Sequence, residues 1–144
     1  LNAVGEILIK DAKLRKMKVE ELIFKFELDA VRKVEAKFLS GGMKRRLVIS
    51  MSLLGEPEIL LMDEPLAALD PQTIQMLQTI IIKLQSEYNL TILITDHQAR
   101  DLLVVCDKAV ILSNSKIVAE GTPNELMKDE NATKYYFGDN FKFK

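Results

Sequence analysis

Ile59-Leu60-Leu61-Met62-Asp63-Glu64-Pro65 is the stretch whose reading decides the fold. Four apolar residues in succession predict a strand buried on both faces, as in the interior of a parallel sheet. Pro65 cannot continue a central ladder, so Asp63 and Glu64 stand where the strand ends. Ligands of open α/β sheets bind beyond the carboxyl ends of the strands, which places both carboxylates at a candidate site. Adjacent acids there suit metal-assisted phosphate chemistry, one holding Mg²⁺ and the other polarising a water. A strand that simply ends in a solvated acidic turn explains the heptapeptide equally well.

Outward from this stretch the chain alternates helix and strand signals. Leu39-Ser40-Gly41-Gly42 predicts a turn, followed by a helix from Met43 to Leu54 that stops near Gly55 and Pro57. Asp70-Pro71 predicts an N-cap with proline at the first helical position. The helix it opens carries Ile74, Leu77, Ile81 and Leu84 on one face and ends at Asn89. A strand over Thr91–Thr95, a helix over Gln98–Val105 and a strand over Ala109–Leu112 follow. Ser113-Asn114-Ser115 predicts a turn into a strand over Lys116–Glu120, and so a hairpin at the sheet edge. Thr122-Pro123-Asn124-Glu125 has the form of a capping box. Short helical segments through Met127 and near Tyr135 precede an irregular aromatic end, Tyr136-Phe137-Gly138-Asp139-Asn140-Phe141.

Residues 1–38 show helix formers and no strand signal. Val4, Ile7 and Leu8, then Leu22, Ile23, Phe26 and Leu28, predict two amphipathic stretches joined by a basic link over Lys13–Lys18. Lys13, Arg15, Lys16 and Lys18 read as a solvated face. No repeat, linker or low-complexity segment divides the chain, which predicts one domain.

Composition sets the outer bounds. The 144 residues suffice for a single core, and 48% apolar with 28% charged content predicts a folded globule. A net charge of −1 gives no basic footprint for nucleic acid. The single cysteine, Cys106, rules out an internal disulfide, suits a reducing compartment and predicts a buried thiol. No apolar run has the length of a membrane span and the start lacks a signal-peptide layout, so a soluble chain is expected.

Several residues have chemistry in reach and an ordinary reading beside it. Ser40-Gly41-Gly42 before a helix can bind an anion through backbone N–H groups, but alone it reads as a plain serine cap. Asp70 caps a helix. His97 is the only histidine and directly follows a strand; alone it reads as structural or exposed.

Leu39-Ser40-Gly41-Gly42-Met43-Lys44-Arg45-Arg46-Leu47, the acidic pair, Ala67-Ala68-Leu69-Asp70-Pro71 and Ile94-Thr95-Asp96-His97 recur together in one order and spacing. In this the chain resembles the ATP-binding-cassette (ABC) ATPases from its first residues to its last. The resemblance implies an α/β fold: a helical subdomain over 1–54 with the signature motif, then a mainly parallel sheet with flanking helices over 55–144. It implies that Ser40, Gly41 and Gly42 contact ATP held by a second copy, that Asp70 lies along that dimer interface, and that Met43 departs from the usual Gln or Glu. It assigns Asp63 to Mg²⁺, Glu64 to the attacking water and His97 to the γ-phosphate. ATP and Mg²⁺ are thus the implied cofactors. The implied partners are a second copy of the ATPase and integral membrane subunits, at the cytoplasmic face of a bacterial inner membrane.

None of the six glycines is followed by lysine, so the phosphate-binding loop of that family is not in these residues. The chain therefore reads as the C-terminal part of such a domain, expected to bind ATP very weakly alone, not to hydrolyse it, and to leave a sheet edge and apolar helix faces uncovered. Ile94-Thr95-Asp96-His97-Gln98 through Val105-Cys106-Asp107, then Glu120-Gly121-Thr122-Pro123, resemble the branch that holds branched-chain amino acid importers and lipopolysaccharide exporters, and the ending Tyr135–Phe141 is most similar to the lipopolysaccharide-export ATPases. The alternatives are the branched-chain amino acid importer branch, an ABC ATPase outside transport, and an interaction module without catalysis.

Overall fold

The computed structural model describes residues 1–138, which divide into two compact units, Leu1–Thr95 and a second that begins at Asp96. The division falls at Thr95, so the boundary expected at 54/55 lies inside the first unit.

The first unit begins with helices α1 (Asn2–Leu8) and α2 (Ala12–Lys25). Asp11 caps α2 by accepting from the Leu14 N–H at 2.8 Å, and Val19, Leu22 and Ile23 bury one stripe. The basic run expected as a link is instead the first half of α2. Lysine and arginine are good helix formers, and no glycine or proline interrupts them. Arg15 and Lys18 are also less solvated than expected: Arg15 donates to the Ile9 carbonyl at 3.1 Å, and Lys18 pairs with Glu56. The apolar stripe of the first stretch is not buried, since Ile7 and Leu8 are exposed.

Two 3₁₀ turns, Asp29–Val31 and Ala36–Phe38, lead to α3 (Gly41–Leu53). Strand β1 (Ile59–Asp63), helix α4 (Pro71–Tyr88) and strand β2 (Thr91–Thr95) then form a unit of strand, crossover and parallel strand, paired from Ile59↔Thr91 to Asp63↔Thr95. In α4 the four predicted positions, Ile74, Leu77, Ile81 and Leu84, are the buried ones. Asn89 stops the helix in the left-handed region at φ 51°. Leu60, Met62, Leu66, Leu77 and Leu84 belong to the core.

The two-faced burial expected of β1 does not occur. Leu60 and Met62 point inward, whereas Ile59 is 60% and Leu61 70% exposed. Leu93 on β2 is also exposed. The sheet of this unit has two strands, and its second face carries no covering layer among the described residues.

The second unit contains α5 (Ala99–Leu103), shorter than expected, and the antiparallel strands β3 (Ala109–Ser113) and β4 (Lys116–Gly121). Asn114 and Ser115 both take positive φ, 50° and 61°, the backbone that a two-residue hairpin turn requires. The hairpin forms a two-stranded sheet of its own. Helix α6 (Pro123–Leu126) has the predicted capping box, with Thr122 and Glu125 serving each other. Helix α7 (Glu130–Ala132) runs into a π-helical turn, Thr133–Phe137, which supplies the helical segment expected near Tyr135 and carries it over Tyr136 and Phe137, where an irregular end was expected. Asp139, Asn140 and Phe141 lie outside the described residues. Leu103, Ile111, Ala119, Leu126 and Ala132 form the core, with Cys106 packed against it. Cys106 is half-buried where a buried thiol was expected, and that burial pushes the thiol up from its ordinary value.

Candidate functional site

The carboxylates of the opening stretch leave the sheet where the register sets Asp63 opposite Thr95. Thr95 serves both acidic residues. Its hydroxyl donates to Asp63 Oδ1, and its carbonyl accepts the Glu64 N–H at 2.7 Å. Glu64 takes a positive φ of 46°, a conformation that costs a non-glycine residue of order 1 kcal/mol or more and persists only when its surroundings hold it. They do so from three directions. Besides the bond to Thr95, the Glu64 carbonyl accepts from the Arg45 guanidinium at 2.9 Å and from the Ala67 N–H at 3.3 Å. Pro65 and Leu66 beneath this turn are buried, while both acidic residues are exposed.

Arg45 belongs to α3, so the helix opened by Ser40-Gly41-Gly42 reaches the acidic turn directly. Ser40 caps α3 by accepting the Met43 N–H at 3.2 Å. That leaves its hydroxyl proton and the exposed Gly41 amide at the positive end of a 13-residue helix. Asp70 caps α4: Oδ1 accepts the Thr73 N–H at 3.0 Å and Oδ2 the Thr73 hydroxyl. These bonds, the Thr73 hydroxyl first, hold the Asp70 carboxyl below its ordinary value. Helices α3 and α4 start side by side. A Cβ on Gly42 would stand 2.6 Å from the Thr73 methyl, and one on Gly41 3.4 Å from Leu69.

Ser40, Gly41, Gly42, Asp63, Glu64 and Asp70 are thus gathered in the first unit. His97 is in the second, with its side chain 67% exposed. Its carbonyl accepts the Tyr136 hydroxyl at 2.9 Å, and the neighbouring Asp96 carboxylate is buried and accepts the Gln98 N–H at 2.9 Å. Burial, then the Asp96 charge, raises the Tyr136 phenol above its ordinary value.

Sequence reading gave no role to Thr95, Arg45, Thr73 or Tyr136. Thr95 had one available signal: if the two strands end together, the last residue of β2 falls beside Asp63.

Asp63 offers a hard carboxylate oxygen at an exposed strand end, which fits Mg²⁺, an ion that takes one or two carboxylates and completes its shell with phosphate oxygens and water. Among the described residues no group of three or more His, Cys, Asp or Glu gathers into a self-contained metal site. No helix among them is long and apolar enough to cross a membrane.

Residues 3–67 match the family model described as ABC transporter. The chain is 40% identical over 128 residues to the "Lipopolysaccharide export system ATP-binding protein LptB" of Haemophilus influenzae, covering 89% of this chain and 53% of that protein. It is 35% identical over 144 residues to the protein of the same description from Escherichia coli K12, covering 98% and 59%. An uncharacterized ABC transporter ATP-binding protein of Rhizobium meliloti is 33% identical, covering 98% and 52%. Among solved structures, cbiO1 from Clostridium perfringens superposes with a TM-score of 0.81 at 23% identity, covering 92% of this chain and 53% of that one. The cassette MJ1267 in its ADP conformation gives 0.76 at 23% identity, covering 94% and 60%. The chain spans between about half and three fifths of the length of these relatives. It shares the fold of part of these solved cassettes, and by sequence it resembles the ATP-binding proteins of ABC transporters, LptB among them.

Proposed function

We propose that this part of an ABC transporter ATPase supplies the hydrolytic half of an ATP site. The observation that carries the reading is the acidic turn itself: Asp63 and Glu64, the second in a strained backbone, are clamped by Thr95 from β2 and by Arg45 from α3. Phosphoryl transfer asks a protein mainly for positioning and charge stabilisation, which a rigid pair of carboxylates suits. Asp63 is the residue to hold Mg²⁺, which when bound supplies charge neutralisation at the phosphates. Glu64 orients and polarises the attacking water, and His97 contacts the γ-phosphate. Ser40, Gly41 and Gly42 present N–H groups to the phosphate of a nucleotide bound to a second copy, with Asp70 along the same interface.

The transport reaction is the export of lipopolysaccharide, powered beneath integral inner-membrane subunits by a pair of these ATPases. The two LptB relatives support this choice.

The test compares ATP turnover by this chain and by a form extended upstream through a phosphate-binding loop. Turnover is expected only in the extended form. Glu64→Gln in that form should leave ATP binding in place and lower kcat by about 10²–10⁴-fold, the range for loss of a general base. Undiminished turnover in Glu64→Gln overturns the assignment. For the transported substrate, depletion of the parent protein should trap lipopolysaccharide in the inner membrane; unimpeded export would remove that choice.

A further inference from the structure

We propose that Thr95 is a positioning residue for the acidic pair, setting the Asp63 carboxylate for a divalent cation through its hydroxyl. This rests on the reading of Asp63 and Glu64 given above. The register places Thr95 opposite Asp63 at the last rung of the parallel ladder. Its hydroxyl donates to Asp63 Oδ1, which fixes the rotamer of an otherwise exposed carboxylate. The same residue's carbonyl takes the Glu64 N–H at 2.7 Å, so one residue ties together the backbone of one acid and the side chain of the other. A hydroxyl donating to one carboxylate oxygen leaves that group's negative charge in place and directs its remaining lone pairs, as partners behind metal ligands commonly do. A hydrogen bond to a charged acceptor at an exposed strand end is more than the strand needs: a valine there would serve β-structure equally well.

The two bonds can be separated. Thr95→Val keeps the shape and the main-chain carbonyl and removes only the hydroxyl; Thr95→Ser keeps the hydroxyl. In the extended, ATP-hydrolysing form, the Mg²⁺ concentration for half-maximal turnover should rise about tenfold in Thr95→Val, the lower end of the cost of losing a partner behind a metal ligand. KM for ATP at saturating Mg²⁺ should change less than about twofold, because uniform binding is untouched. Thr95→Ser should return the Mg²⁺ requirement to within about twofold of the parent's, since it restores the donor. A Thr95→Val variant that unfolds more readily yet keeps the parent's Mg²⁺ requirement overturns the proposal and leaves the hydroxyl a structural group. The Glu64→Gln control separates the two readings. If it is silent and Thr95→Val behaves as the parent, only the role of Thr95 falls. If it turns over normally, or the extended parent does not hydrolyse ATP, the assignment of the acidic pair falls and this role with it.

Discussion

Gly42 and Thr73 touch at the point where helices α3 and α4 begin, with the Thr73 methyl 2.6 Å from where a Gly42 side chain would start. The contact joins the Ser40-Gly41-Gly42 turn to the cap of α4, because the same Thr73 donates its hydroxyl and its N–H to Asp70. Glycine at position 42 is therefore a demand of packing as well as a means of close approach to a phosphate.

Gly42→Ala should destabilise the chain. Alanine in a helix is favoured over glycine by up to about 1 kcal/mol, but overpacking of a tight contact costs about 1–3 kcal/mol and decides the sign. Thr73→Ser removes the offending methyl and keeps the hydroxyl, so the double variant should recover most of the loss. Urea unfolding of the four forms measures the coupling; additive effects would show that the clash is relieved elsewhere.

Asp70 makes the start of α4 sensitive to acid. Its folded carboxyl lies below the ordinary value, held there by Thr73. The contribution is therefore present above the ordinary aspartate range and lost as pH falls through the depressed value. Asp70→Asn keeps a capping side chain and should flatten the acid limb of the stability–pH profile, whereas Asp70→Ala should also lower stability at neutral pH. An unchanged acid limb in Asp70→Asn would place the titration in another group.

The hairpin turn can be improved. Ser115 holds φ 61°, which glycine adopts without strain, and the Asn114–Gly pair is the preferred two-residue turn. Ser115→Gly should leave the register intact and stabilise by about 0.5–1 kcal/mol, as removal of a left-handed non-glycine residue does, less the added chain entropy. A drop in melting temperature would contradict this turn geometry.

Tyr136 buttresses the His97 backbone. Its phenol, raised by burial and by Asp96, should titrate above the ordinary tyrosine value when tyrosinate absorbance is followed to high pH. A raised phenol contributes stability that is full below the ordinary tyrosine value and lost as pH climbs through the folded one. Tyr136→Phe should remove this raised component, and cost about 0.5–1.5 kcal/mol through the bond to the His97 carbonyl. Survival of the component in that variant would show that it does not belong to Tyr136.

Much of the architecture was legible in the sequence because its signals are local. Asp70-Pro71, the apolar spacing from Ile74 to Leu84 and Asn89 gave α4 at both ends. Thr122 to Glu125 gave a cap, and Ser113 to Ser115 a turn. Each depends on a helix or hairpin satisfying its own backbone within a few residues. The acidic pair, the Ser40-Gly41-Gly42 turn and the family resemblance were legible for the same reason.

Tertiary structure decided what depends on neighbours distant in sequence. Ile59 and Leu61 are as apolar as Leu60 and Met62, so burial on one face or two is a property of the layers around a strand and not of its residues. The basic run in α2 was misread because charge marks solvent contact without marking a chain break. Thr95 reaches Asp63, Arg45 reaches Glu64 and Thr73 fills the space beside Gly42 only because a parallel crossover and two abutting helix ends bring them together. Residue type determines what a side chain can donate or accept; only the register of β1 against β2, and of α3 against α4, determines to which atom.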